Sequence, residues 1–281
     1  MKFGIFGINF GPCADPDGAV RVAQLAEQAG FDSVWTGEHV VLPDPRETPS
    51  PAHPQTEMLD PAVALSFVAA HTESIRLGTG IVILPQRNPV VLAKEMASVD
   101  VLSRGRLMLG VAAGYLHQEF AAIGAPFAER GARTDEAIDV IRALWTQEHP
   151  TFEGQFWSFS GIDAQPRPVQ QPSPPIVVGG HSAAAHRRAV RQGNGWYGFA
   201  LDVESTRAGL EGLERAREET TRPDDLGELE ISITPPADVS AEDVERYAEL
   251  GVDRLILLVN GRTVEDTCAR ISQAAETLVA V

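Results

Sequence analysis

The stretch SIRLGTGIVILPQRNPVVLAKEMASVDVLSRGRLMLGVAAGYLHQEF, residues 74–120, reads as strand, loop, helix, strand and loop. Ile75 to Leu84 is a near-continuous apolar run, as expected of a strand buried on both faces of a parallel sheet. Pro89 stands where a helix can begin at no cost, because its missing N–H would be unbonded there anyway. Val91, Leu92, Met96, Val99 and Leu102 follow at helical spacing, and Arg104-Gly105 ends the helix. Leu107 to Val111 is a second apolar strand. Both strands run out into small residues, Gly78-Thr79-Gly80 and Ala112-Ala113-Gly114, which let a flat group approach the backbone. A βαβ unit with both openings on one side is half of a site.

The same alternation extends outward in both directions. Upstream, Phe3 to Phe10 is a strand, Asp17 to Ala29 an amphipathic helix stopped by Gly30, and Asp32 to Thr36 a strand ending in Gly37-Glu38-His39. A long, polar, proline-rich segment, Val40 to Leu59, reads as a lid over the mouth after that strand, and Asp60-Pro61 opens a helix to about His71. Downstream come a turn at Leu116–Ile123 and a helix from Arg133 to Gln147 with Ile138, Ile141, Leu144 and Trp145 inward. A small hairpin follows within Thr151–Gly161. Strands are then expected at Ile176–Gly180, Gly195–Phe199, Leu229–Thr234 and Arg254–Val259. Each is followed by a helix, starting at Ser182, Val203, Ser240 and Thr263. Eight strands alternating with eight helices imply parallel pairing and closure: an α/β chain forming a single (β/α)8 TIM barrel domain over residues 1–281. An open doubly wound sheet is the weaker alternative, because no GxGxxG follows the first strand.

Composition narrows the functional classes. A formal charge of −16 argues against nucleic acid and anionic membranes as partners. No apolar run is long enough to span a bilayer, and residues 1–12 read as a buried strand, not a signal peptide. Two distant cysteines, Cys13 and Cys268, with no clustered histidines, suggest neither a disulfide framework nor a metal site. Cys13 reads as a buried spectator, and Trp157 and Trp196 as packing residues. The cytoplasm is the expected location, with a small-molecule substrate and a homodimer as the expected partners.

In a barrel, function falls on the loops after the strands. There His39 is the candidate proton donor and acceptor, with Glu38 beside it to fix its tautomer. Gly179-Gly180-His181-Ser182 ends a strand and starts a helix, where free N–H groups and the positive end of the dipole make an anion site. Tyr115 is a candidate for the substrate pocket. Arg187 and Arg188, on the helix that follows, are expected to be solvated.

GTGIVILPQRNPVVLAKEMASVDVLSRGRLMLGVAAG, with WTGEH upstream, resembles the luciferase-like flavin and deazaflavin oxidoreductases over essentially the whole chain. The resemblance implies that Glu38 and His39 lie at the reactive edge of a bound ring, His39 exchanging a proton or orienting the substrate. It implies a non-prolyl cis bond at Gly80-Ile81, supporting the ring beside Thr79, and a phosphate held at Gly179–Ser182. Gln118 stands where deazaflavin enzymes of this type place an asparagine. The FMN enzymes carry a phosphate-clamping arginine where this chain has Ala113. The resemblance therefore favours coenzyme F420 over FMN, and hydride transfer over FMN-dependent monooxygenation. A barrel that binds a cofactor without catalysis is the third alternative.

Overall fold

A computed structural model describes residues 1–236 and 238–279. The expected domain runs to residue 281, so its last two positions lie outside the described residues. In chain order the elements are β1 (Lys2–Phe6), α1 (Pro16–Gln28), β2 (Ser33–Thr36), α2 (Pro61–Ala69), β3 (Arg76–Thr79), β4 (Val82–Ile83), α3 (Pro89–Leu102) and β5 (Leu107–Ala112). Then come α4 (His117–Ile123), α5 (Arg130–Thr146), β6 (Phe152–Glu153), β7 (Ser158–Phe159), β8 (Ile176–Gly179) and α6 (Ala183–Gln192). The chain continues through β9 (Gly195–Phe199), α7 (Val203–Glu219), β10 (Glu230–Thr234), α8 (Ala241–Glu249), β11 (Arg254–Leu257) and α9 (Val264–Ala274).

All pairings in the main sheet are parallel, in the order β3-β2-β1-β11-β10-β9-β8-β5-β4, and β3 also pairs with β5. With β3 and β4 as successive parts of one strand, that last pairing closes an eight-stranded barrel with helices outside. β6 and β7 form the separate antiparallel hairpin. The period of two along each strand divides the core. Phe6, Trp35, Met108, Val177, Tyr197 and Ile256 form one cluster inside the barrel. Their alternates, such as Ile5, Val34, Leu109 and Val178, pack outward against the helices.

Several local expectations change. The run Ile75–Leu84 is two short strands because it changes neighbours: Leu77 and Gly78 lie between β2 and β5, whereas Val82 and Ile83 pair with β5 alone. Between them Gly80-Ile81 is a cis peptide bond, as the resemblance implies. β1 ends at Phe6, since Gly7 turns the chain with φ of +99°. Val91 and Leu102, placed on the inner stripe of α3 by spacing, are 55% and 63% exposed, and only Leu92, Met96 and Val99 are buried. Leu116–Ile123 holds about two turns of helix, α4, and is not a loop; the helix is capped by Gly124, whose φ of +76° is left-handed. None of the described helices is long and apolar enough to cross a membrane. Cys13 and Cys268 are buried free thiols.

Candidate active site

At the C-terminal ends of the strands lies a cavity of about 610 Å³. Phe6, Phe10, Tyr197, Phe199 and Leu258 give it an apolar wall. Gly37–His39, Gly80-Ile81, Ala112–Tyr115 and Gly179–Ser182, the segments following four different strands, meet in it. The 40–59 segment covers one side through Pro51, Ala52, Thr56 and Met58. It is tied down by a bridge from Met58 to Phe10 and by Leu59 N–H donating to Asn9 O at 2.8 Å.

Glu38 and His39 are adjacent in sequence and both line the cavity, but they take different partners. The Glu38 carboxylate, 2% exposed, accepts from Ile83 N–H at 2.5 Å and from the Arg87 guanidinium, which also reaches Asp60 Oδ2 at 2.7 Å. Burial pushes the Glu38 carboxyl up, opposed by Arg87 and by the Ile83 N–H. Both oxygens are committed to bracing the β4 segment, so the expectation that Glu38 sets the His39 tautomer is corrected. That carboxylate is Glu119, on α4. Its Oε2 lies 3.3 Å from His39 Nδ1, and its Oε1 accepts from Val40 N–H at 2.7 Å. Burial works to raise the Glu119 carboxyl, but its contacts with His39 and the Val40 N–H outweigh it and hold it below the ordinary range. The Tyr115 ring stands edge-on to His39, centroids 6.0 Å apart. No sequence signal marked Glu119, since a glutamate 80 residues away on a short polar turn reads as surface.

The other expected residues divide. Gly80, Ile81, Tyr115, Gly179, Gly180, His181 and Ser182 border the cavity. Thr79 and Gln118 are not brought to it. Thr79 is fully buried and donates to Gly110 O at 2.7 Å, bracing the sheet. Gln118 is exposed and donates to Glu47 Oε2 at 2.8 Å, on the outer side of the covering segment.

The β8–α6 turn is built to leave donors free. Gly180 has φ of +122°, a conformation that side chains other than glycine rarely adopt. Trp196 Nε1 donates to Gly180 O at 2.9 Å, and Ser182 Oγ caps the helix by accepting from Ala185 N–H at 3.2 Å. No acceptor among the described residues takes the N–H groups of His181, Ser182, Ala183 and Ala184. His181 Nε2 accepts from Phe199 N–H at 3.2 Å, and partial burial pulls its pKa down. Arg188, expected in solvent, is buried at the cavity edge, paired with Asp135 Oδ1 at 2.6 Å, while Arg187 pairs with Glu219 at the surface. Free N–H groups at the positive end of a helix fit a phosphate. An apolar cavity with an aromatic wall fits a flat ring. These residues therefore suit a flavin-type group.

The family model described as luciferase-like monooxygenase matches residues 1–276. An uncharacterised protein of Mycobacterium tuberculosis is 30% identical over 279 residues, covering 91% of this chain and 92% of that protein. The oxygenase component of a flavin-dependent trigonelline monooxygenase from Acinetobacter baylyi is 34% identical over 179 residues, 63% of this chain and 46% of that protein. In structure, an F420-dependent secondary alcohol dehydrogenase in complex with an F420-acetone adduct superposes with a TM-score of 0.79 at 18% identity. That match spans 100% of this chain and 98% of the other. With the barrel, the cavity and the family match over nearly all of its length, the chain belongs to the luciferase-like monooxygenase family, whose members are oxidoreductases and monooxygenases.

Proposed function

We propose that this protein transfers a hydride between coenzyme F420 and a small organic substrate, as a cytoplasmic homodimer of one barrel domain. The observation that carries the proposal is the pairing, in one apolar cavity, of His39 with an N–H-lined helix start and no arginine at Ala113. When bound, F420 supplies a ring carbon that takes up or releases a hydride. The Gly179–Ser182 turn holds its phosphate through the free N–H groups. The Gly80-Ile81 segment supports the ring, and the aromatic wall keeps water out. His39 gives or takes the proton at the substrate's reacting oxygen. The other charged side chains at the cavity are spent on internal partners, Glu38 on Arg87 and Arg188 on Asp135, which favours an uncharged, apolar substrate. Exposed Val63 and Phe67 on α2, with Val91 and Leu102 on the adjacent α3, support the homodimer.

The likeness to the Acinetobacter baylyi enzyme favours a second reading, an FMN-dependent monooxygenase using the same cavity. Fluorescence-quenching titrations with F420 and with FMN separate the two. The proposal expects tighter binding of F420; much tighter binding of FMN would reverse it. The third alternative, a barrel without catalysis, leaves the burial of Glu119 against His39 without a purpose.

A further inference from the structure

We infer that Glu119 is a positioning residue that holds His39 as its Nδ1–H tautomer, leaving Nε2 unprotonated and free to accept a proton in the cavity. This rests on the role of His39 proposed above. A neutral imidazole carries its proton on either nitrogen, and only the nitrogen without it can act as a base. The choice is set by what the other nitrogen meets.

Glu119 is fully buried, and a buried carboxylate is tolerated only where donors surround it. Its donors here are consecutive: Val40 N–H at 2.7 Å on Oε1 and His39 Nδ1 at 3.3 Å on Oε2. Held below the ordinary carboxyl range by these bonds, it is ionised at neutral pH and can only accept. Nδ1 must then be the donor, and Nε2 has no hydrogen-bond partner among the described residues. The backbone is fixed as well, since His39 N–H points at Met58 Sδ, 3.2 Å away. α4 is anchored for the task by the buried Phe120 ring, which meets Phe127 edge-on at 5.1 Å. A helix of about two turns between the end of β5 and α5 thus delivers one carboxylate to the end of β2.

A merely structural Glu119 would cap Val40 N–H and leave the imidazole indifferent. Nitrogen-15 NMR of the histidine rings in cofactor-free protein separates the two cases, with His39 assigned from a His39→Gln variant. At pH 8.5 an ordinary histidine is neutral, and wild-type His39 is expected as the Nδ1–H form. In Glu119→Gln, whose amide can donate as well as accept, the Nε2–H population is expected to rise at least threefold. An Nε2–H form in the wild type, or an unchanged ratio in the variant, would overturn the inference. Should that variant fail to fold, Glu119→Asp, which withdraws the carboxylate by one methylene, is read the same way. No cofactor enters this readout, so a failure of F420 binding would strike the proposed function and leave the tautomer result standing. In turnover, loss of positioning should lower kcat at least tenfold in Glu119→Gln, with F420 affinity changed less than threefold.

Discussion

Past the end of β2 at Thr36, Gly37, Glu38 and His39 all line the cavity, the Glu38 carboxylate held by Arg87 and His39 Nδ1 facing Glu119. With Glu119 behind it and Tyr115 edge-on, the ring has a defined orientation, which general acid–base catalysis requires. His39→Ala should lower kcat by roughly 10²–10⁴-fold, while F420 affinity changes by less than about tenfold, or ~1.4 kcal/mol. A structural histidine would show the opposite: a lowered Tm with turnover per folded molecule nearly intact. Steady-state kinetics beside a thermal melt distinguish these. The pair Glu38-His39 was legible in the sequence as ionisable residues at a strand end. Which carboxylate meets the imidazole was not, because Glu119 reaches it from another element 80 residues further along the chain.

The segment from β3 to β5 shows how a strand can be assembled from two pieces. Thr79 donates to Gly110 O, and a Cβ on Gly110 would sit 1.8 Å from Thr79 O and 3.3 Å from Ile81 Cγ2. The glycine is therefore required by the opposing backbone, not by a ligand. Gly110→Ala should destabilise the protein by about 1–3 kcal/mol, the usual cost of overpacking a close contact, and lower the Tm. An unchanged melt would show that the two strands can part without loss. The apolar runs made β5 and the barrel strands readable, since strands buried on both faces carry little but large hydrophobes. The division at Gly80-Ile81 was not readable from apolarity, as both halves are equally buried. Nor was the exposure of Val91 and Leu102, whose spacing matches the inner stripe while their positions on α3 face outward.

The barrel separates stability from chemistry by its two ends. At the opposite end from the cavity, Arg254 is fully buried and donates to Asp32 Oδ2 at 2.9 Å and to Glu230, which also takes Lys2 Nζ at 2.7 Å. Burial works to raise the Glu230 carboxyl, but Arg254 and Lys2 outweigh it, so its folded pKa is below the unfolded one. Its contribution to stability is then fully present above the unfolded value of about 4.3 and is lost as pH falls through the lower folded value. Resistance to urea should fall progressively below about pH 4.3, with a shallower pH slope in Glu230→Gln; equal slopes would remove Glu230 from the acid response. At the cavity end, the β8–α6 turn is proposed to bind the anionic end of F420 in the cavity that His39 lines. Ala184 is exposed on the first turn of α6, where an aspartate favours the helix through its dipole while repelling a bound phosphate. The most direct measurement is therefore an F420 titration of the wild type beside Ala184→Asp, with a thermal melt of each. At least a tenfold weaker Kd is expected in the variant at an equal or higher Tm; equal affinities in the two proteins would rule out the turn as the phosphate site.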